Sequence, residues 1–312
     1  MTPLLKHEYF EISDRVKKSL NAGKPVLALE SAIISFGLPP PANLSTALEC
    51  EKIATEEGVE PATIGIVDGI LKLGITKGEI ESFATRTDII KSNLANISVV
   101  CASGKWGATS VSTSLLAASR SGIHVFATGG IGGVHRGFGN YFDISSDLTA
   151  LGKLPTIVVS SGVKSILDVR ATREHLETLG IPVIGYGTDT FPVFYCAGSS
   201  HPVDFRANTP EEIVKVYQAH QAMNRSSAIL VAVPVPAEDG LSPEELEQAM
   251  NKAEEEMKKR DKVQGRAVTP FLLGRLAQIT QGKTLQANIS LVKNNVYTGS
   301  QIARALATSI RH

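Results

Sequence analysis

Between positions 129 and 147 the chain gathers groups able to do chemistry at unusual density. Gly129-Gly130-Ile131-Gly132-Gly133-Val134-His135-Arg136-Gly137 is followed by Phe142-Asp143-Ile144-Ser145-Ser146-Asp147. Glycines admit a ligand close to the backbone. Successive backbone N–H groups form a nest for an anion. His135 and Arg136 add positive charge beside it, while Asp143 and Asp147 offer oxygen ligands for a hard metal or acceptors for sugar hydroxyls. Together these types suit a phosphorylated polyol. A tight turn with a solvated charge cluster is the plainer reading. It accounts less well for charges of both signs gathering directly after the glycines.

Lys164 offers a different chemistry. Val158-Val159-Ser160-Ser161-Gly162 reads as a strand leading into Val163-Lys164-Ser165-Ile166-Leu167-Asp168, which places an amine at a strand end beside a helix start. A helix N-terminus and partial burial both disfavour the ammonium form. A neutral lysine attacks a carbonyl or a sugar C1 to give a Schiff base; an exposed helical lysine is the plainer alternative. Glu30 ends the first apolar strand and is either a proton donor or a loop carboxylate. Lys91, in Ile89-Ile90-Lys91-Ser92, reads by itself as a solvated lysine.

Two further stretches keep two readings each. Ser103 to Ser110 lies between strand and helix and lacks the spacing of a Walker A loop. It is either a phosphate site at a helix N-terminus or simple capping by Thr109 or Ser110. Asn288 and Asn295 share a face if their segment is helical. Paired amides there bind a base edge or ribose hydroxyls, or else bridge helices.

Alternating elements must position these groups. Strands are expected at 25–30, 62–67 (stopped by Asp68-Gly69), 97–102, 123–127, 156–159, 183–186 and 228–233. Helices are expected at about 43–57, 77–83, 107–121, 165–178, 209–223, 243–262 and 270–279, with one or two more between 285 and 310. The alternation predicts a three-layer α/β/α fold with a central, mainly parallel sheet, and nearly continuous apolar strands fit burial on both faces. Without a linker or repeat, 1–312 reads as a single α/β catalytic domain, helical from about 242. In such sheets ligands collect at the carboxyl ends of strands.

Lys plus Arg and Asp plus Glu both number 31, so no global charge draws the chain to nucleic acid or to an anionic membrane. No apolar run is long enough to span a bilayer. Three dispersed cysteines, Cys50, Cys101 and Cys196, and an N-terminus without signal-peptide character fit a cytoplasmic protein with reduced thiols.

Read together, the strings LALES, ISFGLP, PATIGI, SGKWGATSVSTS, VFATGGIGGVHRG, FDISSD, SGVKSILD, IGYGT, TPFLLGR and NISLVKNN resemble the pseudouridine-5′-phosphate glycosidase family, related to indigoidine synthase A-like proteins. The resemblance runs from about residue 25 to 305. Phe138-Gly139-Asn140-Tyr141 does not carry it. It implies reversible cleavage of the C–C bond joining uracil C5 to ribose C1′, giving uracil and ribose 5-phosphate, a lyase-class reaction. Carried onto this sequence, it makes Lys164 the nucleophile and Glu30 the proton donor. Asp143 would hold a divalent metal, typically manganese (Mn2+), partly through waters. Ser145, Ser146 and Asp147 would line the substrate site, with Asp147 assisting at the ribose hydroxyls or ring opening. Lys91 and Val111 would contact substrate, Lys91 at the phosphate. His135 and Arg136 join the substrate-binding set on charge and position, and Asn288 on its helical spacing. A homotrimer is implied as well. Two other readings use the same groups: a Schiff-base lyase or aldolase on another phosphosugar, and a non-catalytic phosphosugar-binding protein.

Overall fold

The computed structural model describes residues 8–136, 139, 142–259 and 268–310, and among these every strand is a member of one eleven-stranded sheet. The first half runs β1 (Phe10–Ile12), α1 (Asp14–Asn21), β2 (Val26–Glu30), a π-helical turn (Ile33–Gly37), α2 (Ala42–Glu56), β3 (Glu60–Val67), β4 (Ile70–Leu73), α3 (Lys77–Thr85), β5 (Ile90–Ser92), α4 (Ile97–Ala102), β6 (Gly107–Thr109), α5 (Val111–Arg120) and β7 (Val125–Ala127). Then follow α6 (Ser146–Leu151), β8 (Ile157–Ser160), α7 (Val169–Thr178), β9 (Val183–Tyr186), β10 (Phe205–Ala207), α8 (Pro210–Ala222), β11 (Ile229–Ala232), α9 (Pro243–Lys258), α10 (Val268–Ile279) and α11 (Lys283–Ile310).

The strand order is β1-β4-β3-β2-β7-β8-β11-β9-β10, with β6 joined to β3 and β5 to β6. Pairing is parallel except where β3 meets β4 and β6. The central strands carry Val, Ile, Leu and Ala on both faces, and β8 and β11 are buried along their whole length. Helices flank the sheet: α11 packs against β2, β7 and β8, and α5 against β2, β4, β6 and β7. Fully buried Leu27, Ile64, Phe126 and Leu291 belong to one continuous core. None of the described helices is long and apolar enough to cross a membrane.

The chain leaves β2 toward β3 on one side and later leaves β7 toward β8 on the other. Connections that diverge from two adjacent parallel strands open a crevice at their carboxyl ends. The site sits there.

Three expectations are corrected. Ile97–Ala102 forms helix α4 rather than a strand. A short apolar run fits either state, and here Val100 N–H bonds Asn96 O while Val99 faces solvent and Val100 is buried. The helix expected over 107–121 splits into β6 and α5, because Gly107 and Ala108 pair with Ile66 and Gly65 of β3. Asp68-Gly69 does stop β3, as expected, and turns the chain into β4; both residues have positive φ, as the tight turn of a hairpin requires. The helix expected from 165 begins at Val169, since the Asp168 side chain accepts the Ala171 N–H as its N-cap. Lys164 therefore lies in a loop ahead of the helix. The last residues of the helix expected over 243–262 lie outside the described ones; α9 ends at Lys258. The C-terminal span holds one long helix, α11.

Candidate active site

Three backbone segments run side by side over the carboxyl ends of β7 and β8, with the glycine string in the middle. On one side, Ile131 N–H bonds Gly162 O, Lys164 N–H bonds Ile131 O, and Asp168 N–H bonds Val134 O. On the other, His135 N–H bonds Asp143 O and Ser145 N–H bonds Gly133 O. Lys164 and the Asp143 segment are thus fixed in register against one strip of chain. Two glycines make this closeness feasible. A Cβ at Gly132 would lie 2.6 Å from Ser145 Cβ and 2.8 Å from Asp147 Oδ2. Gly162 has φ +66 and would drive a Cβ into the Pro192 carbonyl.

A cavity of about 300 Å³ opens above these segments. It is lined by Glu30, Lys91, Val111, His135, Asp143, Ser145, Ser146, Asp147, Lys164 and Asn288, so these expected site residues converge although they span most of the chain. Arg136 does not line the cavity. Its guanidinium pairs with Glu254 and faces α9.

Glu30 ends β2, and its carboxylate accepts a hydrogen bond from the Thr128 hydroxyl across the β2–β7 crevice. Burial pushes its pKa up; the charge of Lys164, the Thr128 bond and the more distant Lys91 oppose that push, and Asp147 adds to it. A carboxyl group held toward its protonated form beside an amine suits proton donation. Burial also pushes His135 down, with Lys91 and Lys164 in the same direction and Asp143 opposing. A neutral imidazole at the cavity wall results.

Asp147 is placed differently from a group that meets substrate with both oxygens. Oδ1 accepts Ser112 N–H at 3.0 Å and Oδ2 accepts Gly132 N–H at 2.9 Å. The expected capping of α5 by Thr109 or Ser110 is therefore replaced. Ser110 is the N-cap residue but makes no side-chain cap bond, and Asp147 caps the helix from α6. Thr109 instead bonds Ile64 O, Ser31 and Ser114, tying the strand end that carries Glu30 to α5.

The two asparagines part company. Asn288 lines the cavity, 4% exposed, with Nδ2 donating to Gly37 O and Oδ1 without a partner among the described residues. Asn295 is wholly buried and donates to Thr128 O at 2.8 Å and to Gly129 O at 3.2 Å, bridging helix to sheet.

Sequence reasoning missed several groups. Thr128 stands one residue past β7, where the strand-end rule would have flagged it. Asn93 lines the cavity and follows a short strand that was not anticipated, while Ser110, already named as a phosphate or capping candidate, lines it too. Ile33, Phe36, Phe194 and Leu273 supply apolar wall and carry no chemical signal in the sequence. Trp106 lies away from the cavity, donating to Asp68 and stacked near Arg86.

Among the described residues no three His, Cys, Asp or Glu side chains gather as a metal cage. Asp143 stands in the cavity with His135 Nδ1 3.9 Å from Oδ2. One accessible carboxylate fits a hard, hydrated divalent ion that keeps most of its waters.

Fold and site together define an α/β protein with a cavity at a strand-order switch point, where a lysine, a half-buried carboxyl group and a glycine-rich segment meet. The family model for indigoidine synthase A-like proteins matches residues 15–305, and the chain belongs to that family. It is 43% identical over 296 residues to a pseudouridine-5′-phosphate glycosidase of Petrotoga mobilis, covering 95% of this chain and 96% of that protein. It is 46% identical over 295 residues to one of Symbiobacterium thermophilum, covering 93% and 96%. Among solved structures, the prealnumycin C-glycosynthase AlnA in complex with ribulose 5-phosphate superposes with a TM-score of 0.90 at 35% identity, covering 98% of this chain and 99% of that one. An indigoidine synthase A-like protein of Thermotoga maritima gives 0.89 at 37% identity, covering 97% and 99%.

Proposed function

We propose that this chain cleaves the C–C glycosidic bond of pseudouridine 5′-phosphate, consuming water and giving uracil and ribose 5-phosphate, and that it runs the reverse reaction as well. The convergence in one cavity of Lys164 with Glu30, whose pKa is raised by loss of solvent, carries the reading. Relatives that bear this activity in their names match nearly the full chain, which supports it.

An ordinary glycoside departs through oxygen, which two carboxyl groups can manage. Here the leaving atom is carbon and has no lone pair to protonate. Breaking C1′–O4′ opens the ribose, the electron pair going to O4′ together with the proton of Glu30. Conjugation with the uracil ring lets Lys164 Nζ add at C1′, and Nζ gives a proton back to Glu30, which frees its lone pair. The nitrogen lone pair then expels uracil: C1′–C5 breaks, C5 takes the proton of Glu30, and an iminium remains on ribose 5-phosphate. Water adds at C1′ and releases the sugar and the free amine, with Glu30 taking a proton back.

Lys91 and His135 hold the phosphate, and this remote binding keeps C1′ beside the lysine. Val111, Ser145 and Ser146 shape the ribose side, and Asn288 offers its unpartnered Oδ1 to the base. Asp147, bonded to two amides, acts by holding α5 against the glycine string as much as at the ribose hydroxyls. Asp143 would hold Mn2+ or a similar ion, which when bound supplies positive charge for substrate oxygens.

We read the working form as a cytoplasmic homotrimer of single-domain chains of the lyase class. The family resemblance supports the trimer, buried free cysteines suit a reducing compartment, and Leu273 and Asn288 bring the C-terminal helices into the cavity. Light scattering that returned the mass of one or two chains would remove the trimer. The activity is tested by incubating the protein with pseudouridine 5′-phosphate, with and without Mn2+, and following uracil by chromatography. Uracil released in step with ribose 5-phosphate is expected; metal-replete protein that releases none would overturn the assignment.

A further inference from the structure

Arg136 follows cavity-lining His135 yet turns away from the cavity. Nη1 lies 3.3 Å from Glu254 Oε1 of α9, and Nη2 donates to Ser165 O at 3.5 Å. Ser165 is the residue after Lys164. The backbone of the same stretch is already paired with the lysine segment, through the His135–Leu167 bridge. One guanidinium therefore joins the glycine string, the nucleophile segment and the C-terminal helices. Those helices reach the cavity: α10 supplies Leu273 and packs against both α9 and the π-helical turn.

We infer that Arg136 is a positioning residue that locks the Lys164 segment against α9, so that the packing of α9 and α10 sets the aim of the lysine. The inference rests on the reading of Lys164 as nucleophile. A planar guanidinium serves two acceptors in fixed directions at once, which an ammonium on a flexible stem does less well. Glu254 is only 24% exposed, so its carboxylate is held rather than freely solvated. A cation meant for the substrate phosphate would face the cavity, as Lys91 does.

Four full-length variants test this: Arg136→Gln, Arg136→Lys, Glu254→Gln and the double variant Arg136→Gln/Glu254→Gln. Small misplacement of a reacting group costs up to about 100-fold, so Arg136→Gln should lower kcat for uracil release roughly 10-fold. Its KM for pseudouridine 5′-phosphate should move by less than about threefold, because ground-state binding is untouched. Glu254→Gln should lower kcat less, Arg136→Lys should fall between Arg136→Gln and the parent, and the double variant should be no worse than Arg136→Gln, as expected of a coupled pair. A raised KM with kcat intact would make Arg136 a substrate ligand, and additive losses would make the two residues independent; either result overturns the inference. Hydrogen exchange gives a reading that needs no turnover. Glu254→Gln should speed exchange in residues 162–168, and unchanged exchange there also overturns it. If the parent protein shows no turnover of this substrate, the proposed activity fails, and exchange still decides the role of Arg136.

Discussion

Glu30 is the residue whose environment does most to define the chemistry. Burial raises its pKa in the folded state, and the positive charge of Lys164 does not cancel that rise. The folded protein thus holds this proton more tightly than the unfolded chain. The associated stability is fully present below the unfolded pKa and is lost as pH rises through the folded one. Glu30→Gln, neutral at every pH, should match the parent in acid and become the more stable of the two above the folded pKa. Urea titrations across pH would show this, and parallel stability curves would contradict it. The same substitution should lower kcat by about 10²–10⁴, the usual contribution of a positioned acid. Reading Glu30 as a strand-end carboxyl required only the sequence. Thr128 as its partner required knowing that β2 and β7 are neighbours, which no local pattern gives.

At the scale of elements, α11 acts as a stitch across the switch point. Asn295 donates to the carbonyls of Thr128 and Gly129, and the Ser161 hydroxyl lies 3.2 Å from its Nδ2. The ends of β7 and β8 are thereby held together beneath the cavity. Asn295→Ala takes this donor from the buried Thr128 carbonyl, while Gly129 O keeps the Ser161 N–H, and an unmade buried hydrogen bond costs about 1–3 kcal/mol. A loss on the order of 1–3 kcal/mol is expected in chemical denaturation, with lowered activity in the fraction that stays folded. A loss under about 0.5 kcal/mol, the range of neutral surface changes, would remove the stitch. Helical spacing put Asn288 and Asn295 on one face but could not say what covers each: one meets the cavity, the other the sheet. The long buried strands β2, β8 and β11 were legible because apolar runs bounded by turns leave few alternatives. The three-residue strands β5 and β6 were not, because their pairing with distant β3 defines them. Helix α4 was misread because its apolar run has no period long enough to separate helix from strand.

Across the whole molecule, the sheet order converts distant strings into one site. Glu30, Lys91, the glycine string, Lys164 and Asn288 meet because the connections diverge between β2 and β7. Their chemical types were visible one by one, and the family resemblance joined them. Arg136 shows where such reading ends. A cation beside a glycine string reads as an anion ligand, yet its partner, Glu254, lies 118 positions away on α9. The most direct test of the account is to mix the protein with ribose 5-phosphate, reduce with borohydride and map the product by mass spectrometry. One covalent sugar phosphate on Lys164, absent from Lys164→Ala along with uracil release, is the result expected. A lysine that stays unmodified while uracil is released, or Lys164→Ala turning over near the parent rate, would contradict it.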